Sequence, residues 1–232
     1  DYPNSYAEIK LEKDESIIAE KGSFIFSDGE FSSENKLELS SYKNLIAKIG
    51  GKSFTYANYK AKESLSLIMG SRDNSELTLI KISKDNPIII KADAHFARSS
   101  GIEIKLVDSK ITEIFDSGFW MNVDGEGYLI LKGYGKILKI DLDNDKTLLI
   151  EDASLIAIEK RIDFNTIDIK LSDELKEFLK SGVEAPFSIQ GKGTLWLQTK
   201  GKYSIHSKSY VSVEKSIKEY KKIIAKYKIK SI

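Results

Sequence analysis

Three ten-residue stretches decide how this chain reads: IIAEKGSFIF (17–26), IIIKADAHFA (88–97) and LLIEDASLIA (148–157). Each opens with an apolar pair or triplet. Each then crosses a short charged or small turn and resumes with a small residue and apolar ones. Ser23, Ala94 and Ser154 fall in register, as do Ile25, Phe96 and Ile156. His95 stands where the other two stretches carry Phe24 and Leu155. Self-similarity at this spacing marks a fold built from repeated units rather than one continuous pattern.

A second motif recurs with it. VDGEGYLILKGYGKI (123–137) aligns without a gap on IQGKGTLWLQTKGKY (189–203). Gly125, Gly127 and Gly135 match Gly191, Gly193 and Gly201, and Leu129 and Leu131 match Leu195 and Leu197. YKAKESLSLIM (59–69) holds Leu65 and Leu67 in the same places without the glycines. The glycines do not make a nucleotide site. A dinucleotide fingerprint needs a third glycine where Ile130 stands, and a helix where a strand follows. A P-loop needs glycine where Pro186 stands, and Ser or Thr after Lys192, where Gly193 follows. They are expected to be structural, in tight hairpins or bulges that require a positive φ.

Between the two motifs of each unit lies a stretch with helical character: 42–51, 109–118 and 173–182. These close on Gly51, Gly118 and Gly182, as helix C-termini often do. The remainder alternates as strands do. LSLIM and LTLIKI, YLILK and KILKI, and TLWLQT and YSIHS each flank a turn, which predicts three hairpins. The expected fold is mainly β. Three repeats, about 7–84, 85–144 and 145–207, with short helical inserts, pack as one body over 7–207.

The last segment, 208–232, differs. Val213, Ile217, Tyr220, Ile224 and Tyr227 recur at steps of four and three, which makes one apolar stripe on a C-terminal α-helix. Seven lysines and two glutamates occupy 214–230 around it. Such a helix docks on its own chain or a neighbouring subunit; the alternative is an anionic membrane surface.

Composition bounds the chemistry. The chain has no cysteine, which excludes disulfides, thiolate metal sites and a cysteine nucleophile together. A net charge of +1 supplies no global field for nucleic acid. The only histidines are His95 and His206, and neither sits in a metal-binding or triad pattern. Asp141, Asp143, Asp145 and Asp152 mimic calcium-loop spacing, but Lys146 replaces the required glycine, so the run reads as a polar turn. No catalytic residue, cofactor or metal ligand is expected. Lys132, Tyr134 and Lys200 remain as weak binding candidates, because cations beside an aromatic at a hairpin tip suit single-stranded nucleic acid.

The threefold pattern resembles the altered-inheritance-of-mitochondria twenty-four family, whose fold is similar to that of the tryptophan RNA-binding attenuation protein. ESIIAEKGSFIF (15–26), AKIGGKSF (47–54) and GKGTLWLQTKGK (191–202) carry the resemblance, which covers residues 7–205. It implies a β-sandwich of triplicated double-stranded β-helix units, assembled in a ring such as a trimer, with no agreed enzymatic activity. Mitochondrial members are linked to inner-membrane organisation. No residue matches the attenuation protein's tryptophan or RNA sites. The resulting expectation is a non-enzymatic, homo-oligomeric scaffold or interaction protein in the cytoplasm. The alternatives are a peripheral protein on the cytoplasmic face of a membrane, held by the tail helix, and an RNA-binding protein. A small-molecule ligand is not indicated.

Overall fold

A computed structural model describes residues 5–36, 56–107, 120–144, 146–162 and 186–200. The three helical inserts and the tail stripe expected above lie outside these residues, as do Gly51, Gly118, Gly182 and Gly201. What is described is mainly β, as expected.

The strands are β1 (Tyr6–Leu11), β2 (Ser16–Glu20), β3 (Phe24–Ser27), β4 (Phe31–Lys36), β5 (Tyr56–Ala61), β6 (Leu65–Gly70) and β7 (Ser75–Ile82). Then follow β8 (Ile88–Lys91), β9 (His95–Ser99), β10 (Ile102–Leu106), β11 (Trp120–Gly125), β12 (Gly127–Tyr134) and β13 (Ile137–Leu142). The last are β14 (Thr147–Glu151), β15 (Leu155–Glu159), β16 (Pro186–Gln190) and β17 (Gly193–Gln198). Short 3-10 turns at Ala92–Ala94 and Asp152–Ser154 join β8 to β9 and β14 to β15. The strands form four sheets, in the orders β1-β6-β3, β4-β5-β2-β9-β12-β7, β10-β11-β8-β15-β17-β13 and β14-β16.

Corresponding pairings recur along the chain, all of them antiparallel. β1 pairs with β6, β7 with β12, and β13 with β17. β2 pairs with β5, β8 with β11, and β14 with β16. β3 pairs with β6, β9 with β12, and β15 with β17. Two further pairings tie successive segments together: β2 with β9, and β8 with β15. The registers agree with one another, and β6 sits two residues from the alignment read in the sequence: Met69, not Leu67, takes the place of Leu131 and Leu197. Phe24, His95 and Leu155 face Met69, Leu131 and Leu197, while Phe26, Ala97 and Ala157 face Ile68, Ile130 and Trp196. Ile25, Phe96 and Ile156, the residues skipped in each ladder, sit in a β-bulge at the same point, where one strand contributes an extra residue.

Local sequence explains these strands. LSLIMG in β6 alternates buried and half-buried residues, because successive side chains point to opposite faces of a pleated strand. IIIK in β8 is buried at all four positions, as befits a strand with neighbours on both edges and cores on both faces. Three apolar clusters result. The first joins Ile17, Ala19, Tyr59, Leu67 and Met69 to Phe96, Ala97 and Ile130. The second joins Ile88, Ile90, Met121 and Leu129 to Ile156, Ala157 and Trp196. The third gathers Leu142, Ile150, Leu155, Ile158, Ile189 and Leu195.

The expected hairpins are corrected. β6 and β7 do not pair with each other, nor do β12 and β13; each strand pairs elsewhere and the chain crosses between sheets. The turn signal between such strands is real, but a turn that redirects the chain into another sheet uses the same residues as a hairpin. The third expected hairpin, from β17 into 203–207, lies partly outside the described residues. The glycines do take positive φ as expected, at Gly125 (113°), Gly127 (144°), Gly135 (73°) and Gly191 (127°). Gly193 is required for space instead, since a Cβ there would lie 2.7 Å from Ile162 Cγ1. Where the polar turn was expected, the Lys146 N–H donates to the Asp143 carbonyl at 3.0 Å.

Candidate functional site

Among the described residues, the three-stranded sheet β1-β6-β3 leaves one face uncovered. Alternation along β6 sends Leu65, Leu67 and Met69 into the first cluster and turns Ser66, Ile68 and Gly70 the other way. β3 lies beside it with Ile25 57% and Phe26 56% exposed, and Tyr6 on β1 is also exposed. Together they floor a groove of about 710 Å³, rimmed by Glu8, Asp28, Asp73 and Arg72. Its lining mixes apolar Tyr6, Ile25, Phe26 and Ile68 with charged Glu8, Asp28, Asp73 and Arg72.

The surrounding backbone is well tied. The Gly70 N–H donates to the Ser23 carbonyl at 2.8 Å, and the Ser66 N–H donates to Asp28 Oδ1 at 2.6 Å. Arg72 Nε donates to the Gly22 carbonyl at 3.1 Å, which lays the guanidinium across that turn. Phe24, 5.0 Å from the Phe31 ring and stacked at 6.5 Å on Tyr59, fixes β3 from the opposite side. An exposed apolar face of this kind, held on a rigid sheet, is suited to binding another apolar surface.

The sequence did not single out this groove. Its signal was there in the register: Ile25 and Phe26 match Phe96 and Ala97, yet only the latter pair is buried.

The weak binding candidates are placed otherwise than expected. Lys132 is not at a tip. It lies within β12, its side chain 7% exposed, and it donates to both oxygens of Glu20 at 2.6 and 2.7 Å, with Asp73 at 3.8 Å. Tyr134 is half-buried, and its hydroxyl donates to Asp73 Oδ2 at 3.1 Å. Lys200 is exposed, and its backbone N–H donates to the Tyr134 carbonyl. The physical reason is the missing hairpin: with β12 in the middle of a sheet, Lys132 belongs to the interior. Of the aromatics considered with them, Trp120 and Trp196 are core residues and Tyr128 is exposed.

His95 is buried beside this ion pair, its ring 4.5 Å from Tyr56 in an edge-on contact. Among the described residues, neither ring nitrogen has a hydrogen-bond partner. Burial, with Arg98 and Lys132 adding like charge, holds its pKa well below the usual histidine value. It is therefore a neutral packing residue. Glu159 is a second buried charge, held by Arg161 Nε at 2.5 Å and the Thr194 N–H at 3.0 Å.

The family model described as mitochondrial biogenesis AIM24 matches residues 1–200. Altered inheritance of mitochondria protein 24 of Yarrowia lipolytica is 26% identical over 165 residues, covering 67% of this chain and 51% of that protein. A 36-residue stretch is 78% identical to enolase of Pelagibacter ubique, which is 16% of this chain and 9% of enolase. The chain thus spans about half the length of the first relative and a small fraction of the second. A crystal structure of a Streptococcus pyogenes protein superposes with a TM-score of 0.62 at 19% identity, covering 97% of this chain and 95% of that one. It shows that the fold is shared.

Proposed function

The chain belongs to the AIM24 family, and on that premise we propose that it is a non-enzymatic scaffold or interaction protein, built from three repeats and assembled as a homo-oligomer. The observation that carries this reading is the groove on β1-β6-β3. Monomeric proteins seldom leave adjacent large apolar residues such as Ile25 and Phe26 side by side in water.

The repeat reading is supported by the recurrence of the strand pairings and of the bulge at Ile25, Phe96 and Ile156. Units of this size hold too little core alone and gain stability by stacking on their neighbours. The pairings support units near 6–70, 75–134 and 137–198, of which the second and third begin one strand earlier than the sequence spacing suggests. In each, the first strand returns to pair with the last.

The RNA-binding alternative loses its principal cation, because Lys132 is committed to Glu20 inside the body. Sedimentation velocity across a hundredfold range of concentration tests the proposal. Species larger than one chain are expected at the upper end; a single monomeric species throughout would reject the assembly.

A further inference from the structure

The two interfaces between successive units share one design. In the first, β2 pairs with β9 through Ala19–Ala97 and Ile17–Ser99, and Phe96 and Ala97 enter the cluster formed by Ile17, Ala19 and Tyr59. In the second, β8 pairs with β15 through Ile90–Ala157 and Ile88–Glu159, and Ile156 and Ala157 enter the cluster formed by Ile88, Ile90 and Met121. In both, the leading strand of one unit adds to the bulged strand of the next, and the bulged residue is covered by the preceding core. Phe96 is 0% and Ile156 1% exposed as a result.

Each end of the series lacks its counterpart. β3, the bulged strand of the first unit, pairs only with β6 among the described residues; β14, the leading strand of the third, pairs only with β16. The two strands lie in separate sheets, so the chain does not close the series on itself through them. Ile25 and Phe26 stand exposed where Phe96 with Ala97, and Ile156 with Ala157, are buried. Unpaired strand edges with apolar flanks are templates for adding another strand.

We infer that the groove on β1-β6-β3 receives the third unit of a second copy of this chain, with β14 of that copy adding antiparallel to β3. The inference rests on the repeat and assembly reading above and specifies its contact. The register follows from the two internal interfaces: Ile150 opposite Phe26, and Leu148 opposite Asp28. These are the places that Ala19–Ala97 with Ile17–Ser99, and Ile90–Ala157 with Ile88–Glu159, occupy within the chain. Ile25 and Phe26 then enter the third cluster beside Ile150 and Ile189. The contact is heterologous, head to tail, so copies continue in one direction until a ring closes.

The absence of native cysteine makes the register directly testable. Glu151 lies one residue beyond the Ile150–Phe26 pair, beside Ile25, and both are exposed in the isolated chain. Single variants Ile25→Cys and Glu151→Cys are mixed at a concentration where the wild type is assembled and treated with a short bismaleimide. Linked pairs containing one of each variant are expected, at least about 10-fold above same-variant pairs. Phe26→Asp, at an exposed position and so without cost to the single chain, is expected to weaken self-association at least about 30-fold, the size of a hot-spot loss. Three outcomes overturn the inference. One is equal linking in same-variant samples. Another is linking within one chain of an Ile25→Cys/Glu151→Cys double variant and none between chains. The third is no linking at all. Oligomers in sedimentation without mixed linking would reject this interface and leave the assembly standing; monomer alone would reject both.

Discussion

The strands β3 and β9 carry the same bulge in the same register, yet one is on the surface and the other is inside. Phe96 in β9 is completely buried because β2 and the first cluster lie over it. Ile25 in β3 has no equivalent strand beyond it among the described residues and is more than half exposed. The local structure at the two sites is shared, so the difference lies in what packs against each. At these two sites the apolar bulge residue is buried where a further strand pairs beyond it and exposed where none is described.

The sharpest way to break the comparison is to truncate the two bulge residues in turn. Phe96→Ala removes a fully enclosed ring and is expected to cost about 3–5 kcal/mol of unfolding free energy. Ile25→Ala should change the stability of the dilute, monomeric chain by less than about 0.5 kcal/mol. Urea unfolding of both at low concentration measures this; similar losses would show that β3 is already covered.

The next effect concerns Lys132, which occupies the place of Gly70 in the first unit and Gln198 in the third. Lys132→Ala strands the Glu20 carboxylate beside the core. The expected cost is about 3 kcal/mol, the lower end for a broken buried ion pair, because Glu20 is 38% exposed. Lys132→Met should lose less, since its chain still fills the space. Salt-insensitive loss in thermal unfolding distinguishes a buried pair from a surface one.

His95 differs from Phe24 and Leu155 in carrying a proton site where they carry none. Its folded pKa lies below its unfolded value, so only the unfolded chain takes up a proton as the pH falls. Stability from this residue is therefore whole above about pH 6.5 and declines below it, by up to about 1.4 kcal/mol per pH unit. His95→Leu should remove that part of the slope between pH 7 and pH 5. An unchanged slope in chemical denaturation at the two pH values would place the titration elsewhere.

Two glycines give a last contrast. A Cβ at Gly125 would lie 2.2 Å from the Gly101 carbonyl oxygen at a φ of 113°, and Gly125→Ala is expected to cost about 1–3 kcal/mol. At Gly70 the nearest atom is the free end of Ile25, 2.9 Å away, in an open groove. Gly70→Ala should stay within about 0.5 kcal/mol.

Much of this was readable in the chain itself. The bulge residues were aligned as Ile25, Phe96 and Ile156 from their neighbours alone, because a repeated pairing scheme demands apolar residues at repeated offsets. Strand character followed from period-two alternation, as in LSLIMG. Partner strands were not readable. GYG between β12 and β13 has the composition of a hairpin turn, and nothing local tells whether the chain folds back or crosses to another sheet. Lys132 was misplaced for that reason: a lysine near glycines reads as a tip until β7 and β9 are found on either side of its strand. The groove was unreadable because its defining property is an absence of covering strands, which only the assembled sheets reveal.

Hydrogen exchange followed against protein concentration tests the central claim most directly. The amides of 24–28 and 147–151 that point away from β6 and β16 should exchange quickly in dilute protein and become protected as concentration rises, while those of 95–99 stay protected throughout. Rapid exchange at 24–28 in a sample shown to be oligomeric, or protection there that does not depend on concentration, would contradict it.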